Sequence, residues 1–100
     1  MRILPEKFKQ NTFDYELVKR SEWAAIYSQS SDGKFLAYEA IRIQHRKEIT
    51  LHGNTMEAGE WYPSSSSWGA DGFTYHSLSD AEQKFNFLNH PPIPKEAKCQ

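Results

Sequence analysis

From Phe13 onward the chain alternates between apolar and polar positions. In "FDYELVKR", Phe13, Tyr15 and Leu17 fall on one side, and Asp14, Glu16, Val18 and Arg20 on the other. Period-two alternation is the signature of a strand with one buried face. "EWAAIYSQ" continues it, with Trp23, Ala25 and Tyr27 opposed to Ala24 and Ile26. "SSDGK" interrupts the pattern, and Asp32-Gly33 predicts a tight turn because glycine takes positive φ at little steric cost. "FLAYEAIRIQH" resumes it, with Phe35, Ala37, Glu39, Ile41 and Ile43 against Leu36, Tyr38, Ala40 and Arg42. The span from Trp23 to His45 therefore predicts a β-hairpin. After a polar "RKE", "ITLHGNTME" recovers, and Gly53-Asn54 predicts another turn.

The flanks read differently. Residues 1–12, interrupted by Pro5, read as a lead-in. Residues 58–72 hold three glycines, one proline and four consecutive serines, a composition that predicts a loop. "FTYH" predicts a short closing strand with Phe73 and Tyr75 on one face. In 77–89 the period changes to that of a helix. Leu78, Ala81, Phe85 and Leu88 recur at spacings of three and four and form one apolar stripe, with Phe87 off it. Ser77 suits the N-cap, where its hydroxyl can accept from a free backbone N–H, and Asp80 suits the capping box. Asp80 and Glu82 also sit near the positive end of the helix dipole. Asn89-His90-Pro91-Pro92 stops the helix, because proline disfavours helical geometry in the residue before it, and 90–100 is a Pro-rich tail. The expected architecture is a single α+β domain over 1–100. It comprises an antiparallel β-sheet of about four to five strands, including the central hairpin, with one C-terminal helix packed on it.

Composition narrows the function classes. One hundred residues make one ordinary domain. The hydrophobic fraction is a modest 38%, but 14% of residues are aromatic, and a few large rings can build much of a core. Net charge is −1, which speaks against both a polyanion-coating protein and an acidic mimic of nucleic acid. The first fifty residues carry nine Lys/Arg and seven Asp/Glu; the last fifty carry three and six. The single cysteine, Cys99, allows no internal disulfide and fits a reducing compartment. No apolar run is long enough to cross a membrane, and "MRILPEKFKQ" lacks the apolar segment of a signal peptide. A cytoplasmic protein is expected.

No catalytic spacing emerges. His45, His52, His76 and His90 are dispersed, with one cysteine in the chain, so neither a metal site nor a cofactor is expected. Ser64 to Ser67 with His76 and Asp71 lack a nucleophile elbow, and four serines in a loop read as a soluble connector. No phosphate-cradling glycine loop is present. Two surfaces could bind a partner. In "RIQHRK" a strand would turn Arg42, Gln44 and Arg46 one way, and Lys47 the other; Arg42, Arg46 and Lys47 could meet phosphates or acidic side chains. The plainer reading is a solvated strand face that discourages edge pairing. Trp61, Tyr62 and Trp68 border the Ser-rich loop and could anchor an interface or stack on bases. Their plainer role is to fill space between helix and sheet, the role expected of Phe73 and Tyr75.

The segment "SWGADGFTYHSLSDAEQKFNFL" resembles the C-terminal half of a WGR domain, in which a Trp-Gly-Arg turn and a glycine precede a strand and a helix with Ala and Phe anchors. Trp68, Gly69, Gly72, Phe73, Leu78, Ala81 and Phe85 fit that outline, but Ala70 stands where the Arg would be. That resemblance covers under a third of the chain and implies a role in DNA recognition. Over most of its length the chain resembles, in layout, small uncharacterised bacteriophage accessory proteins. Such proteins bind and inhibit host or defence proteins, CRISPR nucleases among them, or bind nucleic acid. The leading expectation is thus a non-enzymatic binding protein, phage or mobile-element encoded, that occludes a host or defence protein in the host cytoplasm. Its contact residues would be Arg42, Arg46, Lys47, Trp61, Tyr62 and Trp68. A nucleic-acid-binding sheet module is the second expectation, and a structural subunit, such as a homodimer through a strand edge, is the third.

Overall fold

The computed structural model describes residues 3–63 and 68–91. The serines 64–67 and the tail from Pro92 onward lie outside the described residues. The chain forms an α+β domain: a five-stranded antiparallel sheet, two short two-stranded ribbons and one C-terminal helix. The sheet contains β1 (Lys7–Gln10), β2 (Phe13–Arg20), β3 (Ala24–Ser31), β4 (Lys34–Arg42) and β9 (Gly72–Tyr75), in that order. Between β4 and β9 lie β5 (Gln44–Arg46), which pairs with β8 (Gly59–Trp61), and β6 (Ile49–Leu51), which pairs with β7 (Asn54–Met56). The helix α1 spans Leu78–Leu88.

Three hairpins close through two-residue turns with both central residues at positive φ: Asn11-Thr12, Asp32-Gly33 and His52-Gly53. That geometry matches the right-handed twist of paired strands. Asp32-Gly33 sits where the sequence predicts. The turn expected at Gly53-Asn54 is one residue earlier. The segment 1–12 holds more than a lead-in, since β1 pairs along β2 from Lys7 opposite Glu16 to Gln10 opposite Phe13.

Alternation sorts the sheet residues onto two faces. One face carries Ala24, Ile26, Tyr38, Ala40, Phe73 and Tyr75 and receives the helix through Leu78, Ala81, Phe85 and Leu88, the predicted stripe. Lys19 Nζ lies 4.8 Å from the Phe85 ring centroid, and Lys84 Nζ lies 4.3 Å from that of Phe73. Ser77 is the N-cap, but its side chain makes no cap hydrogen bond; its carbonyl accepts from Ala81 N–H at 3.1 Å. Phe87 points outward, 66% exposed. The opposite face carries Ala25, Tyr27 and Ile41, with Phe8, Tyr15 and Leu17 beside them, and is covered by Leu4 and Tyr62 rather than by a helix.

Two bulges break the simple alternation. Pairing steps from Leu17–Tyr27 to Lys19–Ile26, so Val18 is the extra residue and lies exposed. A one-residue insertion inverts every later side chain of the strand. Arg20 therefore joins Tyr15 and Leu17 on the helix-free face, where strict alternation puts it opposite them. A second shift, at Leu36, turns Phe35 toward the helix side, where its ring meets Tyr38 at 4.8 Å.

Candidate ligand-binding site

Two carboxylates are buried on the helix-free side: Glu39 of the sheet and Glu60 of the β5–β8 ribbon, which meets Arg20 there. Glu60 sits on β8 opposite His45 of β5. The β2 bulge aims Arg20 at it. Arg20 Nη1 and Nη2 donate to Glu60 Oε1 and Oε2, both at 2.7 Å, and the Leu4 N–H donates to Oε1 at 3.1 Å. This fork-to-fork pair ties the β5–β8 ribbon and the N-terminal segment to the sheet. The Arg20 hydrogen bonds hold the Glu60 carboxyl below its usual range.

Glu39 lies on β4, opposite Tyr27 of β3. The chain leaves β8 at Trp61, and Tyr62 folds over the sheet so that its hydroxyl donates to Glu39 Oε1. Tyr62 is the hub of an aromatic cluster. Its ring meets Phe8 at 5.4 Å and Tyr27 at 5.5 Å edge-on, Tyr15 at 6.1 Å, and Trp68 at 6.3 Å with an interplanar angle of 23°. Trp68 is held from beneath. Its indole N–H donates to Thr74 Oγ1 at 3.1 Å, and its six-membered ring lies against Gly72, where any Cβ would collide with it. The turn that brings it there is closed by Gly69 N–H to the Gly72 carbonyl at 2.8 Å, with Gly69 at φ +94°.

Glu39, Tyr15, Tyr62 and Trp68 line a cavity of about 280 Å³, with Pro63, Gln10 and Asn11 completing it. Burial pushes the Glu39 carboxyl above its ordinary value, with the Tyr62 hydrogen bond opposing that shift. Burial also raises the Tyr62, Tyr15 and Tyr27 hydroxyls, the last to about 12, so all three stay neutral around it. Tyr15 Oη accepts from Gln29 Nε2 at 3.0 Å. Among the described residues, the Glu39 carboxyl has one hydrogen-bond partner and no ion pair. The described lining is therefore an acid, aromatic rings and amides, with no Lys, Arg or His. That set can attract a cation, and its described residues include a single carboxylate. A larger depression beside β1 and β2, about 480 Å³, is lined by the exposed pairs Lys7–Glu16 and Lys9–Asp14, and none of its lining residues is buried.

The sequence candidates divide into three places. Tyr62 and Trp68 come together at this cavity. Trp61 belongs to the β5–β8 ribbon, with the Arg46 guanidinium 5.7 Å from its ring centroid and Lys47 exposed just beyond β5. Arg42 is engaged inside the molecule: Nη1 donates to Asp71 Oδ1 at 3.1 Å, its N–H to the Asp71 carbonyl at 2.8 Å, and Nη2 faces His90 Nε2 at 3.3 Å. It braces the turn before β9 against the helix C-terminus. Glu39 and Tyr15 are the residues that motif reasoning passes over. The available signal is a carboxylate in an otherwise apolar inward row, "FLAYEAIRI", since a buried acid needs a partner or a purpose.

Among the described residues, no three His, Cys, Asp or Glu side chains gather as metal ligands, and no helix is long and apolar enough to cross a membrane. No protein-family model matches the chain, and neither does any curated protein or solved structure.

Proposed function

We propose that the chain is a small non-enzymatic binding module that captures a protein partner through the Glu39 cavity, with Tyr62 and Trp68 as its aromatic anchors. The observation that carries this reading is the Glu39 carboxylate, 7% exposed and without a cation among the described residues, at the base of an aromatic-walled cavity. Burying a charge without a counterion costs stability, and a partner group that completes the pair removes that cost. Aromatic rings held rigidly by their own hydrogen bonds and packing bind without losing much side-chain freedom. On the resemblance of its sequence layout to phage accessory proteins, the proposed partner is a host or defence protein, inhibited by occlusion of its surface.

The test is a pull-down with the tagged protein, run in parallel with E39Q, W68A and an R46E/K47E double variant. Recovery of one stoichiometric partner by wild type and the double variant, but not by the cavity variants, supports this reading. Retention by both cavity variants with loss in R46E/K47E overturns it.

A second reading rests on Arg46 over Trp61, with Lys47 exposed beside them. A cation stacked on an indole suits a nucleic-acid strand. It requires a mobility shift at low salt that weakens steeply as salt is added and disappears in the R46E/K47E variant.

A further inference from the structure

The contents of the cavity discriminate among the groups that could enter it. An anion would meet Glu39 with no basic side chain in the described lining to offset the repulsion. A neutral group would offer the charged form of Glu39 no countercharge and would suit only its protonated form. A cation remains, and its type can be narrowed.

A guanidinium is a flat fork that binds carboxylates through two parallel hydrogen bonds. It carries five N–H donors, and those that Glu39 did not accept would face aromatic rings, which supply no strong acceptor. A primary ammonium is compact and strongly hydrated, with three donors to satisfy. On entering it would exchange its water shell for the Glu39 carboxylate, the amides of Gln10 and Asn11, and ring faces. A methylated ammonium has few or no N–H groups to satisfy. It spreads its charge over methyl surfaces that lie well against aromatic faces, and its attraction to those faces is electrostatic. Tyr15, Tyr62 and Trp68 supply the rings, Glu39 the countercharge, and the cavity of about 280 Å³ the room.

We propose that the Glu39–Tyr15–Tyr62–Trp68 cavity binds a methylated ammonium group. The inference rests on this cavity being the binding site, and it names the chemistry that the site selects. The group can come from a methylated lysine side chain of the partner protein or from a free quaternary amine.

The full chain is titrated with tetramethylammonium chloride while the Trp68 indole N–H is followed by NMR. Sodium chloride at equal ionic strength and tert-butyl alcohol, a neutral analogue of similar size, serve as controls. A saturable shift of Trp68 with the ammonium alone is expected. The E39Q variant should weaken it roughly tenfold or more, because the countercharge is gone while the Tyr62 hydrogen bond keeps an acceptor. A W68F variant, read through the Gln10 and Asn11 side-chain amides, should weaken it less, since a smaller ring remains. Cooperative thermal melts show that both variants fold.

A pair of peptides, one with lysine and one with trimethyllysine, separates the two sources. Trimethyllysine binding well above tetramethylammonium assigns the site to a protein side chain; equal affinities assign it to a free amine. The proposal is overturned by no saturable shift, by an equal response to the neutral alcohol, or by an E39Q variant that binds as wild type. If the cavity variants lose the pulled-down partner while tetramethylammonium neither binds nor displaces it, the site stands and the ligand assignment falls.

Discussion

Glu39, on β4 of the five-stranded sheet, and Glu60, on β8 of the separate β5–β8 ribbon, are equally buried, at 7% and 8% exposure. Their surroundings differ in kind. Glu60 receives both Arg20 guanidinium nitrogens and a backbone N–H, and it joins three segments of chain: β2, β8 and the N-terminal lead. Glu39 receives one tyrosine hydroxyl and otherwise faces an aromatic cavity. Their carboxyls shift in opposite directions, Glu60 downward through its partner and Glu39 upward through burial. Burial alone therefore does not separate a paired acid from an unpaired one. The number and kind of partners does. A complete ion pair has no capacity left for a ligand, and an incomplete one has.

The largest effect should come from Glu60. Glu60→Ala strands the Arg20 guanidinium on a half-buried surface and leaves the Leu4 N–H without the carboxylate. A loss of about 3 kcal/mol is expected, toward the low end for breaking a buried pair because Arg20 keeps some access to water. Urea unfolding measures it as a fall in midpoint at constant slope. Replacing both partners, as in Arg20→Met with Glu60→Leu, should restore most of that loss, since a well-packed apolar pair removes both desolvation costs. If the single and double variants are equally unstable, the pair is not what holds the ribbon down.

A second perturbation breaks the cavity without touching either carboxylate. In Gly72→Ala the new methyl collides with the Trp68 ring, so the indole must leave its seat and lose its hydrogen bond to Thr74. The expected cost is about 1–3 kcal/mol, in the range of an overpacked site. The sharper readout is binding, because the variant should lose the cavity function while the Arg20–Glu60 pair persists. A Gly72→Ala protein that keeps the Trp68–Thr74 contact in its NMR spectrum would show that the wall is less fixed than its packing implies.

The contrast between the two glutamates is only partly legible in the chain. Alternation is local, so the β3–β4 hairpin and the Leu78–Ala81–Phe85–Leu88 stripe follow directly from it. A bulge is a single inserted residue with no composition of its own. Val18 reads as one more outward position, yet its insertion carries Arg20 to the other face and creates the Glu60 pair. The strand β1 is hidden for a related reason. Its turn, Asn11-Thr12, contains no glycine, and Thr12 sits at φ +70°, where a β-branched side chain is disfavoured. Tyr62 and Trp68 stand out because aromatics beside a loop suggest an interface. Tyr15 does not, because it fits a strand core, and Glu39 is recognisable as unusual only when its row is known to point inward.

The smallest effect on stability is expected where the effect on binding is greatest, at Glu39→Gln. Glutamine preserves the shape and the acceptor for Tyr62 while removing the buried charge. Stability at neutral pH should change by less than about 1 kcal/mol, in the stabilising direction, because the charge has no counterion among the described residues. The pH dependence then separates the two acids by sign. Glu60, depressed in the fold, contributes stability above the ordinary carboxylate value that is lost as pH falls through its lower folded value. Glu39, raised in the fold, does the reverse: its protonated form is favoured, and that contribution is lost as pH rises through its higher folded value. Urea midpoints measured from acid to neutral pH should lose the acid-side decline in Glu60→Gln and the opposing slope, at higher pH, in Glu39→Gln. Cation binding should follow Glu39 alone, weakening as acid neutralises it, since Tyr15, Tyr27 and Tyr62 remain uncharged across that range. Binding that instead followed the titration of Glu60 would move the site to the Arg20 side of the sheet and dissolve the distinction between the two carboxylates.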